Sequence, residues 1–263
     1  MTDTIPGDWA ASLLEQGGVK LAYRRSEGDK DRAGVVWLGG FHSDMQGEKA
    51  SVLHTRCRED GRAFLRFDYL GHGESGGAFA DGTIGRWRSD ALAMLDQLTE
   101  GPQVLVGSSM GGWISLLVAL ARPERVKALV LLAPAPDFTD KLMWAGFDER
   151  QRTQIMEEGH WTRPSAYDPA GYPITRDLIV EGRTWNVLDA EIAIDVPVRI
   201  LQGGLDPDVP WTHSLDLADK LRSEDVIWSL VKDGDHRLSR PQDIARMVAT
   251  VLDVAELIDG SSD

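Results

Sequence analysis

Apolar residues gather in short runs rich in β-branched and aromatic side chains: "VKLAYRR" (19–25), "GVVWLGG" (34–40), "AFLRFDY" (63–69), "QVLVG" (103–107), "ALVLLA" (128–133), "VPVRILQG" (196–203) and "DVIWSLVK" (225–232). Longer stretches with helical spacing, among them 85–100 and 113–126, separate most of these runs. The central runs are apolar at almost every position rather than at alternate ones. They therefore read as strands buried on both faces, as in a parallel sheet. Strand then helix, repeated, predicts an α/β fold with a mostly parallel central sheet of seven to eight strands and helices on both faces.

The rhythm breaks between Pro134 and Val196, about 60 residues without a strong parallel-strand signal. Helical candidates lie at 138–147, 148–159 and 175–188. A hairpin is expected over 161–175, with Asp168-Pro169-Ala170-Gly171 as its turn. Residues 1–263 thus read as one domain carrying a lid insertion at about 135–195, because long excursions inside α/β domains tend to be functional. Trp144, Phe147, Trp161, Tyr167, Tyr172 and Trp185 either line an apolar pocket there or pin the insertion to the sheet.

A length of 263 residues, 42% of them hydrophobic, suffices for one full core. The net charge of −14, with no basic run, argues against nucleic acid and against an anionic membrane as partner. Cys57 is the sole cysteine, so no intramolecular disulfide forms. The N-terminus shows neither a signal-peptide pattern nor an Arg-rich presequence, and the apolar runs are shorter than the roughly 20 residues a membrane helix needs. The expected location is cytoplasmic, without stable membrane association.

Three glycine-rich turns compete for chemistry. Gly71 to Gly76, "GHGESG", matches a dinucleotide fingerprint in letters, but no helix opens at its last glycine to receive a pyrophosphate. Gly73 to Gly77 satisfies G-x-S-x-G around Ser75, again with no helix directly after it. Gly107 to Gly111 has a strand before it and an apolar helix after it, which makes Ser109 the nucleophile candidate. Glycines two residues to either side let helix and strand approach closely around the serine.

A serine needs a base, and the base needs a group that fixes its tautomer. His160, His213 and His236 follow Ser109 in the chain; His236, after the last strand, is the preferred base. Asp206 follows the penultimate strand and is the preferred acid, with Asp208 as a helix cap and Asp137 as a distant alternative. Backbone N–H groups of Phe41 and Met110 are the oxyanion donors such a turn supplies, and His42 reads as a loop residue. His54-Thr55-Arg56-Cys57 is an isolated His/Cys pair without ligand spacing, so neither metal nor cofactor is expected.

These blocks together resemble the α/β-hydrolase superfamily over nearly the whole chain. "FDYLGHGES" is similar to its Asp-x-x-Gly-x-Gly-x-Ser signature. "GRWRSDALAMLDQLTEGPQVLVGSSMGGW", "ARPERV", "DPDVPW" and "GDHR" resemble a mitochondrial branch of acyl-protein thioesterases and acyl-glucuronide esterases. Gln202 departs from the His common before the acid's glycine. The resemblance implies a Ser109–Asp206–His236 triad and a small-molecule or acylated-protein substrate. Hydrolysis of carboxylic esters or thioesters is the expected activity. The same triad also serves C–C bond hydrolysis, lactone opening and perhydrolysis, and a non-catalytic ligand receptor is the reading from another class.

Overall fold

The computed structural model describes residues 10–164 and 171–260. In chain order its strands are β1 (Ser12–Gln16), β2 (Val19–Ser26), β3 (Gly34–Leu38), β4 (Phe64–Phe67), β5 (Gln103–Ser108), β6 (Val126–Leu132), β7 (His160–Arg163), β8 (Tyr172–Thr175), β9 (Val198–Gly203) and β10 (Val226–Val231). Its α-helices are α1 (Glu48–Glu59), α2 (Ile84–Leu98), α3 (Met110–Ala121), α4 (Glu149–Thr153), α5 (Arg176–Gly182), α6 (Trp211–Lys220) and α7 (Pro241–Gly260). Eight strands build one sheet in the order β1-β2-β4-β3-β5-β6-β9-β10. It is parallel from β4 through β10, and β2 runs antiparallel to both β1 and β4.

Each parallel strand feeds two cores. Val35 and Trp37 of β3 face a cluster with Leu53 and Cys57 of α1 and Met247 and Val251 of α7. Val36 and Leu38 face the opposite cluster, with Trp87 and Met94 of α2 and Trp113 and Leu117 of α3. Burial on both faces explains the continuous apolar runs, since alternate side chains of one strand each leave water, at about 1.5–3 kcal/mol apiece.

Strand β1 is the element that the apolar pattern does not predict. Its half-exposed residues bury little, and it is held by the hairpin turn Gly17-Gly18, both at positive φ (57° and 77°). A Gly-Gly pair between two strand-like runs is the signal that locates it.

Between β6 and β9 the chain leaves the sheet. A wide-wound π-helical turn (Thr139–Trp144), α4, a second π-helical turn (Gln154–Glu158), the β7–β8 hairpin and α5 follow in succession. The expected hairpin exists, pairing His160 with Thr175 through Arg163 with Tyr172. Of its expected turn, Asp168, Pro169 and Ala170, together with the aromatic candidate Tyr167, lie outside the described residues. Two carboxylates fasten this segment. Asp137, fully buried, accepts N–H bonds from Val187 (2.8 Å) and Leu188 (2.9 Å), closing the excursion on itself. Glu181 accepts from the Gly85 N–H at the start of α2 (3.0 Å) and from Trp185 Nε1 (2.6 Å).

Candidate active site

Ser109 stands alone between the end of β5 and the start of α3, at φ 55° and ψ −116°. That conformation is strained for any residue with a Cβ and persists only where the surroundings impose it. The Ser109 N–H donates to the Leu132 carbonyl (2.9 Å), while its own carbonyl accepts from Gly112 (2.9 Å) and Ala135 (3.1 Å). A Cβ on Gly107 would lie 2.4 Å from the Gly111 oxygen, and one on Gly111 would lie 2.0 Å from the Leu38 oxygen. Both glycines are therefore required by close approach, and α3 begins with its N-terminal dipole at the serine.

The loops after β9 and β10 bring the other two candidates to this point. His236 Nε2 lies 3.1 Å from Ser109 Oγ, and its Nδ1 lies 2.8 Å from Asp206 Oδ2. Asp206 Oδ2 also accepts from Gln202 Nε2 (3.1 Å), and Oδ1 accepts from the N–H groups of Asp208 (2.9 Å) and Val209 (2.8 Å). Burial opposes ionisation of this carboxyl, but the hydrogen bond and charge of His236 and the two N–H donors outweigh it and hold it below the usual carboxylate range. A carboxylate on Nδ1 fixes the proton there and leaves Nε2 free to accept from Ser109.

Asp208 does not play the part expected of it. Helix α6 is preceded by Pro210 with no side-chain cap, and Asp208 contributes its backbone N–H to Asp206. The fixed φ of Pro210 sets the helix entry instead. Asp206, Asp208 and His236 each bring one ligand-type atom within 4.8 Å of the others. Four N–H donors already occupy the Asp206 oxygens, an arrangement suited to orienting an imidazole.

The remaining candidates fall into structural roles. Ser75 Oγ donates to the Asp68 carbonyl (2.6 Å) and accepts from the Ala22 N–H (2.8 Å). The buried Asp68 carboxylate takes the N–H groups of Met45 (2.7 Å) and Glu74 (2.9 Å), so "FDYLGHGES" is a clamp beneath the site. His213 bonds the Pro136 carbonyl through Nε2 at 2.7 Å, and His160 is exposed on β7. Asp137 is the clamp described above.

The backbone after β3 runs directly against the nucleophile: a Cβ on Gly40 would lie 3.5 Å from Ser109 Cβ. Phe41 comes next, and Met110 follows the serine in the chain. The Phe41 ring packs edge-on against Phe79, Phe138, Trp87 and Tyr172 at 5.0–5.8 Å. His42, at φ 57°, donates its N–H to His72 Nε2 (3.2 Å) and stacks on Tyr172 at 4.8 Å. His72 can accept because burial pushes its pKa down to about 4. Of the described aromatic candidates in the insertion, Tyr172 reaches this loop, Trp144, Phe147 and Trp161 pack with one another, and Trp185 is bonded to Glu181 and Trp113.

Apolar spacing and motifs did not single out His72 or Lys49, a lysine on α1 that lines the cleft beside Ser109. The "GHG" turn was the available signal for His72, and nothing local marks Lys49. Gln202, which the sequence marks only as a departure from a common His, supports the acid directly through its bond to Asp206. The cleft measures about 250 Å³ and is walled by Gly40, Phe41, Lys49, Ser108, Ser109 and His236, among others.

A strained serine between strand and helix, hydrogen-bonded to a histidine and through it to an aspartate on this sheet, defines a serine hydrolase of the α/β class. The chain belongs to the α/β-hydrolase superfamily. The serine aminopeptidase S33 family model matches residues 29–158. The chain is 42% identical over 237 residues to the mouse "Palmitoyl-protein thioesterase ABHD10, mitochondrial", covering 90% of this chain and 79% of that one. Its fold superposes on the mouse α/β hydrolase domain-containing protein 10 with a TM-score of 0.86 and 40% identity, over 97% of this chain and 100% of that one. A putative hydrolase from Agrobacterium vitis S4 gives a TM-score of 0.88 and 43% identity, over 93% and 97%.

A second expectation is overturned. The cytoplasmic location does not stand, because the mouse and human relatives are named mitochondrial proteins. A lone cysteine fits any reducing compartment and could not distinguish between them.

Proposed function

We propose that this hydrolase cleaves carboxylic esters or thioesters through an acyl-enzyme on Ser109. The observation that carries this reading is the continuous chain from Ser109 Oγ to His236 (3.1 Å) and from His236 to Asp206 (2.8 Å). Ser109 Oγ attacks the acyl carbon as His236 Nε2 takes its proton, and Asp206 stabilises the imidazolium. The N–H groups of Phe41 and Met110 hold the oxyanion, each donor in such a pair being worth about 10²–10³ in rate. His236 then gives its proton to the departing oxygen or sulfur, and a water activated by the same nitrogen releases the acid.

The thioesterase name of the mouse relative supports acyl thioesters, on protein or small carriers, as the substrate class. The segment between β6 and β9 acts as the lid of a single-domain enzyme, with Tyr172 set against the oxyanion loop. Turnover of 4-nitrophenyl esters of two to sixteen carbons and of matched thioesters, with Ser109→Ala in parallel, tests the reading. A chain-length optimum that disappears in Ser109→Ala is expected. Full turnover by Ser109→Ala would refute the assignment.

A further inference from the structure

The cleft beside Ser109 has a wall that acyl transfer leaves unused. Lys49 Nζ, from the first turn of α1, donates to the Arg237 carbonyl and to Ser108 Oγ, the latter at 3.3 Å. Among the described residues no carboxylate pairs with this ammonium or with the exposed Arg237 guanidinium, although exposed Asp44 and Glu48 also line the cleft. Burial, reinforced by Arg237, pushes the Lys49 ammonium down to about 8 against the pull of Asp235 and Asp243. A half-buried cation with no carboxylate in direct contact is costly. It is also unexpected in a chain carrying 42 acidic residues against 28 basic ones.

The hydrogen-bond inventory of this wall shows what it can still bind. Lys49 has three N–H donors and uses two of them. Ser108 accepts from Lys49 and keeps its own proton to donate. Ser43 and Ser239, by contrast, already donate to the carbonyls of Gly40 (2.8 Å) and Arg237 (3.0 Å). Lys49, Arg237 and Ser108 therefore present donors and positive charge, matched to an anion.

The location says which part of a substrate it would meet. A general acid must touch the atom that it protonates, so the leaving group lies on the His236 side of the serine. His236 and Arg237 are neighbours on the wall of this cleft. We propose that Lys49, Arg237 and Ser108 form an anion subsite that binds a carboxylate or phosphate carried on the leaving group. This rests on the acyl-transfer reading of Ser109 for its catalytic consequence, though not for the binding itself.

The test compares butyrate esters of 3-carboxy-4-nitrophenol and of its neutral amide, 3-carbamoyl-4-nitrophenol. The wild type should favour the charged ester in kcat/KM by about 10- to 100-fold after correction for intrinsic reactivity, the range of a charge-assisted hydrogen bond. That ratio should fall about tenfold in Lys49→Gln and less in the exposed Arg237→Gln. If Lys49 merely buttresses the His236 loop, Lys49→Gln slows both esters alike and the unchanged ratio overturns the proposal.

Equilibrium dialysis of the Ser109→Ala protein gives a readout independent of turnover, using 2-nitrobenzoate, phenyl phosphate and 2-nitrobenzamide, none of which carries a phenol to ionise. At least one anion should bind about tenfold tighter than the neutral amide, and the preference should vanish on adding Lys49→Gln. Whether the carboxylate or the phosphate binds better identifies the source of the anion, and equal binding of all three refutes the subsite. Anion-selective binding without Ser109-dependent turnover would instead remove the hydrolase mechanism and leave the subsite standing.

Discussion

Replacing Asp206 by Asn tests the orienting role at its most exposed point. Oδ1 accepts two backbone N–H bonds, from Asp208 and Val209, so the amide oxygen of the new side chain must take that place. Its NH₂ then occupies the position of Oδ2, facing His236 Nδ1. Nδ1 can answer a donor only by giving up its proton, which moves the proton to Nε2 and turns the base into a donor toward Ser109. The expected loss is about 10⁴ in kcat, or about 5.4 kcal/mol at 1.36 kcal/mol per decade, with KM little changed. The same NH₂ meets Gln202 Nε2, donor against donor, at a cost of about 1–3 kcal/mol in stability. Steady-state kinetics on the best 4-nitrophenyl ester, with a thermal melt to establish folding, would measure both. Asp208→Asn, which keeps its backbone N–H, should stay within about twofold of wild type. A folded Asp206→Asn retaining more than a tenth of kcat would refute the tautomer argument.

Two more outcomes are expected. Gly111→Ala drives a Cβ to 2.0 Å from the Leu38 oxygen, so it should lower Tm and esterase activity together, whereas an unshifted Tm would contradict the close packing of β3 against α3. Buried His54 and His72 both have pKa values lowered to about 4, so the stability of their neutral forms is complete above pH about 6.5 and is lost as pH falls toward 4. Denaturant titrations between pH 7.5 and 4 should show a decline that is smaller in a His54→Leu/His72→Asn double variant, and an identical decline would show that other groups control it.

The parts of the site legible in the sequence are those whose signal is local or ordered along the chain. Ser109 sits in a strand-turn-helix whose glycines are dictated by contacts within four residues and with the neighbouring strand. Asp206 and His236 follow from their places after successive strands, since parallel connections deliver every such loop to one edge of the sheet. What escaped are pairings of residues distant in the chain. Lys49 meets the Arg237 carbonyl across 188 positions, and Asp137 meets Val187 across 50. The role of Asp208 was misread for a similar reason, because an acidic residue near a helix start resembles a cap until the chain path shows Pro210 in that place.

The Asp137 clamp gives the segment between β6 and β9 the character of an interchangeable cassette. Its entry and exit meet at one carboxylate and Glu181 ties its last helix to the start of α2, so the segment is a closed loop held at a few anchor points. Loop closure grows dearer by only about 0.6 kcal/mol for each doubling of length. A different insert grafted between residues 138 and 176, which keeps Glu181 and Trp185, should therefore leave the serine, histidine and aspartate where they are while presenting a new surface above them. Evolution could retune which molecules reach this nucleophile without rebuilding the machinery that attacks them.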